Sequence, residues 1–513
     1  MKEKIALHTI RPVFLFTAVF SVLAHGYRYL SPSFSGDSML LSQVGEEAYQ
    51  TSLGRFLQPV YWQIRGYITA PLTIGLFATV FLALSALIIV HLLRIRRPVC
   101  IALVCGVLTA NETLAVSNAT YLPWTDVYAL ALLLSLMGVY AFFEIRRGWL
   151  LTPVFYCLSL GLYQSYLPAA STMVILLLLV RLIRGESIKR VWQQGAASIA
   201  LLVAGLVLYA AVLKLVLALT GGSASGDYNG VARLSLFSLE AIPWLLEATY
   251  FTPIRLLFIL SDTPVMTWHI TTVPRLLNIA LFGAAAVLLL LRAKGLRASG
   301  FLTLAFLIGV LPLGMNFIQF VSHGIASGLT IYSYNLLYLL PAALLDDLDA
   351  GTLPRLPRAV SRVFGGVSLA CLCLFLALNI RTSNEMALKR DLEYSATTAA
   401  MSRLLDQAER TQGYVPGETP VVLIGMLPSS MISMERPGFE ALARAQGMRY
   451  TYGAAYETAN YWYLQMALGE PINLVSHEER ARLSASEEAQ SLPAFPQEGC
   501  CAMIDGTLFV RIN

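Results

Sequence analysis

The sequence predicts a polytopic all-α membrane bundle of about 11 transmembrane helices, followed by a small C-terminal α/β domain outside the cytoplasm. Three observations predict it. Of the 513 residues, 57% are hydrophobic and only 13% charged, against roughly 45–50% and about 25% in an ordinary soluble domain. The apolar residues gather into runs matched to a ~30 Å hydrocarbon layer. The cations gather in alternate connecting loops, the bias that orients helices in a membrane.

Lys2, Lys4 and Arg11 precede an apolar run from Pro12 to Ala24. Val22-Leu23-Ala24 faintly resembles a signal-peptidase site, but the run reads as an uncleaved anchor. Apolar runs near 12–30, 70–93, 99–117, 125–143, 149–165, 167–183, 196–219, 275–292, 299–315, 331–345 and 363–380 are the expected spans. The loops assigned inside hold Arg94, Arg96, Arg97, Arg146, Arg147, Arg181, Arg184, Lys189, Arg190, Arg292, Lys294, Arg297, Arg355, Arg358 and Arg362. With the three N-terminal cations these make eighteen, against six outside: Arg28, Arg55, Arg65, Arg233, Arg255 and Arg275. The net charge of +5 is therefore an orientation signal, and no feature points to nucleic acid.

Residues 1–380 form the expected membrane domain, with long outer loops at 31–69 and 220–273. The first carries Tyr49, Phe56, Tyr61, Trp62 and Tyr67 at spacings that suit helices lying at the interface. The second has a flexible Gly221–Gly226 stretch and an amphipathic helix over 238–260. Residues 381–513 form the expected extracytoplasmic α/β domain: a helix near 384–411, strands at Pro420–Ile424 and Ile472–Val475, and a hairpin from Cys501 to Ile512. Asp505-Gly506 is its two-residue turn. Five of the seven cysteines lie in apolar runs; Cys500 and Cys501 are adjacent, read as two thiols with a vicinal bridge as the alternative.

The sequence contains no Gly-x-x-x-x-Gly-Lys-Ser/Thr loop, no Gly-x-Gly-x-x-Gly and no His-Glu-x-x-His, which argues against an ATPase, a dinucleotide enzyme and a zinc protease. Asp347-Leu348-Asp349 has an Asp-x-Asp spacing, but beside Asp346 at a cytoplasmic helix end it reads as a solvated terminus. No repeated half is visible, which lowers the case for a secondary transporter. Asp37 is the first carboxylate presented after the first span. Two readings of it stay open: an N-cap for a helix from Ser38 and a catalytic base.

Several stretches resemble the Gtr-type glucosyltransferases of bacterial surface polysaccharides, members of the GT-C group of membrane glycosyltransferases. They are Gly36-Asp37-Ser38, Leu53–Pro59 with Arg65-Gly66 and Pro71, Leu108-Thr109-Ala110-Asn111, Gly161–Tyr166 and Ile504–Arg511. The resemblance implies a hexose donor, glucose by family habit, carried on a polyprenyl phosphate at the outer face of the bacterial cytoplasmic (inner) membrane. The acceptor is a surface polysaccharide or another glycan, and the transfer inverts the anomeric centre. It implies Asp37 as the base, although Gly36 stands where the family often has histidine.

A leaving phosphate needs a cation. Lys214 lies about 10 Å below the outer end of its span, where a charge is costly, so phosphate binding and snorkelling to headgroups are its two readings. Arg55, Arg65, Arg233 and Arg255 are further phosphate candidates; His269 and His323 are weaker outer-loop ones. Tyr121, Trp124 and Asp126, with Gln164, Tyr332, Tyr334 and Asn335, are candidates for the sugar or acceptor, the rings also fitting an interface belt. Neither a cofactor nor a metal is expected. The rival reading is a transporter or flippase of a lipid-linked sugar.

Overall fold

Among the described residues of the computed structural model, which are 7–33, 42–225, 242–259, 272–317, 328–349, 355–427, 431, 464–465 and 468–513, nine helices are long and apolar enough to cross a membrane. The chain is a multi-pass membrane protein. Two of the eleven expected stretches fall short of a span. The run at 149–165 is an 11-residue helix, α8 (Thr152–Leu162), that breaks at the extended Tyr163. The run at 331–345 is divided into a one-turn helix at Tyr332–Asn335, a 3₁₀ turn at Leu336–Tyr338 and an eight-residue helix at Leu339–Asp346.

The other helices of the bundle are α1 (Leu7–Leu30), α2 (Glu47–Ser52), α3 (Leu57–Arg65), α4 (Pro71–Leu92), α5 (Pro98–Thr109), α6 (Glu112–Thr120) and α7 (Thr125–Glu144). They continue with α9 (Leu167–Ile183), α10 (Ile188–Thr220), α11 (Ile242–Phe258), α12 (Thr272–Ala293) and α13 (Ala298–Asn316). Pro71 and Pro98 open α4 and α5, where the missing N–H costs nothing. Serine side chains close gaps between helices: Ser135 Oγ donates to the Tyr166 carbonyl at 2.9 Å and Ser159 Oγ to that of Ala131 at 2.8 Å. Such bonds serve in lipid, where apolar contact alone does not favour protein over solvent. α10, with 33 residues, is about 50 Å long. Ser187 caps its start, and Gly221, at φ 66°, accepts the left-handed turn that ends it.

The Asp346-Asp347 pair does structural work. Asp346 accepts from the Arg96 and Arg97 backbone N–H groups, and Asp347 takes both arms of Arg184 at 3.0 Å.

The chain divides into two compact units, one of Met1–Leu30, Ser42–Asn118 and Trp124–Asn384, the other of Ser31–Leu41, Ala119–Pro123 and Glu385–Asn513. One 55-residue helix, α14 (Arg355–Glu409), covers both the last expected span and the helix expected near 384–411. In the second unit β1 (Pro420–Ile424) pairs in parallel with β2 (Asn473–Leu474) and with β4 (Thr507–Arg511), which pairs antiparallel with β3 (Cys501–Ile504). The β3–β4 turn is Asp505-Gly506, both at positive φ as the tight hairpin requires. β1 is buried on both faces. Val421 and Leu423 pack with Met401, Leu404 and Ala408 of α14, while Val422 and Ile424 pack with Phe509 and Ala489, the alternation a strand imposes. Cys500 and Cys501 are free thiols with sulfurs 3.7 Å apart, and burial raises both above the usual thiol range.

Candidate functional site

Within the first long outer loop, Gln43 ties the stretch before α2 to the residues that follow α3. Its backbone N–H donates to the Tyr67 carbonyl at 2.8 Å, its amide nitrogen to Thr69 Oγ1 at 2.7 Å, and its amide oxygen accepts from Arg65 Nη2 at 2.6 Å. Arg65 Nη1 then meets Asp126 Oδ1 at 3.0 Å, with the two side chains 1% and 0% exposed. Tyr61 donates to Asp126 Oδ2 at 2.8 Å, and the Val127 N–H to Oδ1 at 2.9 Å. Burial, together with the Asp126 carboxylate, raises the Tyr61 phenol, so it stays a donor. The spacing on α3 explains the convergence: Gln58, Tyr61, Trp62 and Arg65 recur at i, i+3, i+4 and i+7 on the inner face, while Val60 and Ile64 are exposed.

A second set of contacts seats the α2–α3 turn on the segment after α8. Gln58 Nε2 donates to the Leu162 carbonyl at 2.7 Å, and Gln164 Nε2 to that of Leu53 at 2.9 Å. Tyr209 of α10 donates to the Gly54 carbonyl at 3.0 Å, and its hydroxyl lies 3.0 Å from Gln164 Nε2. Gly54 itself sits at φ 82°, and a Cβ there would stand 2.2 Å from the Tyr209 hydroxyl. A Gly54→Ala chain is therefore expected to lose about 1–3 kcal/mol through the left-handed backbone alone. Thermal unfolding in detergent measures this, and an unshifted midpoint would mean the turn is not seated as described.

Arg55, 8% exposed, donates to Gln50 Oε1 at 3.0 Å and lies 4.9 Å above the Tyr163 ring. From there rings run on: Tyr163 to Tyr128 at 4.4 Å, Tyr128 to Tyr166 at 5.9 Å, Tyr166 to Tyr332 at 5.3 Å. The Tyr332 hydroxyl ends the row on the Leu108 carbonyl at 2.6 Å.

That carbonyl lies beside the break between α5 and α6. Asn111 closes both helix ends, its amide donating to the Leu108 carbonyl at 2.9 Å and its oxygen accepting from the Leu114 N–H at 2.9 Å. The end of α1 docks here too, through His25 Nε2 on the Thr109 carbonyl and Arg28 Nε on that of Asn118, both at 2.9 Å. A buried arginine, a buried acid (Glu112) and a run of buried amides thus line this end of the first unit.

A family described as glucosyl transferase GtrII matches residues 28–340, more than half of the chain. The chain belongs to the GtrII glucosyltransferase family. No curated protein and no solved structure matches it.

Every sequence-predicted site residue of this GtrII chain lies inside the matched range. Arg55, Gln164 and Tyr332 come together through Gly54, Tyr209, Tyr163 and Tyr166, and Arg65 comes together with Asp126. Lys214 is exposed and makes no hydrogen bond or ion pair to a described residue. At about 100° per residue it points about 140° around α10 from Tyr209. Arg255 pairs with Glu247 at 3.3 Å on an exposed surface and lies 5.9 Å from the Phe251 ring. Tyr334 and Trp124 are buried, and neither the Tyr334 hydroxyl nor Trp124 Nε1 has a hydrogen-bond partner among described residues. Asn335 is buried 3.4 Å from Thr113 Oγ1, and Tyr121 is half-buried in the second unit. Asp37, Arg233, His269 and His323 lie outside the described residues.

Sequence reasoning passed over Gln43, Thr69, Tyr128, Tyr209 and Glu112. Tyrosine and amide residues inside otherwise apolar runs were the available signal, since each must find a partner away from water.

Proposed function

We propose that this GtrII protein transfers glucose from a polyprenyl phosphate to a surface polysaccharide or another glycan, at the outer face of the bacterial cytoplasmic membrane and on a GT-C-like scaffold. In this reading the C-terminal unit is extracytoplasmic, as the loop cations favour. The observation that carries it is the family match, which spans every candidate residue. Breaking the sugar–phosphate bond of a lipid-linked donor drives transfer with no nucleotide bound, in keeping with a sequence that lacks a nucleotide-binding loop.

Asp37 is the proposed base, taking the acceptor's proton as it attacks. It precedes Ser42 by five residues in the sequence. Gln43, the next residue, holds Arg65. Arg55 is the leading candidate to neutralise the departing phosphate, because its guanidinium is already held close to the aromatic row; Lys214 is the second. Tyr332, with Gln164, is proposed for the sugar or acceptor.

The donor class is tested with purified protein in vesicles, offered either polyprenyl phosphate glucose or a nucleotide-linked glucose. Transfer from the lipid donor alone is expected. Transfer from the nucleotide sugar alone would replace the donor assignment, and lipid translocation without transfer would replace the enzyme by a flippase.

A further inference from the structure

The turn between α2 and α3 is held from outside at three consecutive carbonyls. That of Ser52 accepts from the Ser225 N–H at 2.9 Å, that of Leu53 from Gln164 Nε2 at 2.9 Å and that of Gly54 from the Tyr209 hydroxyl at 3.0 Å. Gln164 Nε2 also reaches Tyr209 Oη at 3.0 Å, so its second amide hydrogen goes to that oxygen and the phenolic hydrogen is directed onto Gly54. Bonds chained in one direction polarise and strengthen one another. Tyr209 holds the other side of the turn as well, because its ring stacks on Phe56 with the centroids 5.9 Å apart. One side chain of α10 thus grips both neighbours of Arg55, the residue before it through a hydroxyl and the residue after it through a ring. Arg55 itself is tied twice to Gln50, by its N–H to the carbonyl at 2.9 Å and by Nη1 to Oε1 at 3.0 Å. With its flanks and backbone fixed, its guanidinium is carried to a set place beside the Tyr163 ring. Arginine loses more rotamer freedom than most side chains when it is ordered, and here the fold has ordered it before any ligand arrives, as preorganised charge stabilisation requires.

We propose that Tyr209 is a positioning residue for the transfer reaction: it aims Arg55 at the departing phosphate. This rests on the glucosyl-transfer reading above, in which Arg55 neutralises that phosphate. Every contact in the chain from Tyr209 to Arg55 lies within the first compact unit.

Tyr209→Phe, Arg55→Met and the double variant test it as a cycle, read by kinetics with polyprenyl phosphate glucose in vesicles and by thermal unfolding in detergent. The phenylalanine keeps a ring against Phe56 and removes only the hydroxyl. In Tyr209→Phe, kcat is expected to fall about tenfold with KM held within about twofold, since the phosphate charge develops on the way to the transition state. In an Arg55→Met background the same substitution is expected to change kcat by less than about twofold, because a residue that acts through Arg55 then has nothing to aim. Losses that multiply across the two positions, or a parental kcat in Tyr209→Phe, would overturn the proposal. If Tyr209→Phe lowers the unfolding midpoint too far for turnover to be read, Phe56→Leu, which removes the ring contact and leaves the hydroxyl, takes its place in the cycle with the same deciding outcomes. Failure of the underlying reading shows separately, as an Arg55→Met chain that transfers at the parental rate; that result removes the phosphate role of Arg55, and the role of Tyr209 with it.

Discussion

An Asp37→Asn chain is expected to transfer glucose about 10²–10⁴-fold more slowly, a loss of about 2.7–5.4 kcal/mol in transition-state stabilisation, while still binding the lipid donor. The substitution suits the question because asparagine caps a helix as well as aspartate does. If Asp37 only caps a helix from Ser38, the variant keeps its function. If it takes a proton from the acceptor, the amide cannot, and the rate collapses with the fold intact. Asp37→Ser sharpens the same contrast, being a good cap and no base. Glu47, at the start of α2 within the first long loop, is the control acid, since its carboxylate is taken up by the Gly45 N–H at 2.8 Å. Glu47→Gln should transfer at the parental rate. Rates are read in vesicles with polyprenyl phosphate glucose, and equal turnover by the parent and Asp37→Asn would remove the base from the mechanism.

Local pattern carried the fold well where one segment determines its own structure. Hydropathy located the long helices, a short continuous apolar run located β1, and Asp505-Gly506 marked the β3–β4 turn, because each signal is written in consecutive residues. The stretch at 331–345 misled because its apolar composition matches a span while its backbone divides into short turns around Tyr332–Tyr338. α14 was read as two helices because hydrophobicity ends near 380. Helix continuity depends on breakers instead, and from Val367 to Glu409 the sequence has neither proline nor glycine. The site was legible as residues but not as pairs. Asp126 reads as a charge in the first turn of α7, which it is; that Arg65 and Tyr61 converge on it 61 and 65 residues away leaves no trace in local spacing. The hydrogen bond from Ser31 to Asp391, 360 residues away, is the extreme case, since serine after a helix is ordinary in any loop.

The Arg65–Asp126 pair carries the second large effect. Replacing Asp126 by Ala leaves a guanidinium in a site where its side chain is 1% exposed, and removing one partner of a buried pair costs about 3–5 kcal/mol. Tyr61 loses its acceptor as well, adding to the penalty, although Gln43 Oε1 retains one arm of the arginine. Thermal unfolding in detergent should therefore show a lower midpoint for Asp126→Ala, and also for Arg65→Met, which strands the carboxylate with only Tyr61 and the Val127 N–H. The double variant Arg65→Met with Asp126→Leu removes both charges and fills both volumes, so it should be more stable than either single one, because neither desolvated ion is left uncompensated. Activity separates what stability does not. Gln43, tied to Arg65, lies within the first long loop, so the double variant should recover stability but not full transfer. Losses that add across the two positions would mean that the ions do not act as a pair, leaving Gln43 its contacts with Tyr67 and Thr69.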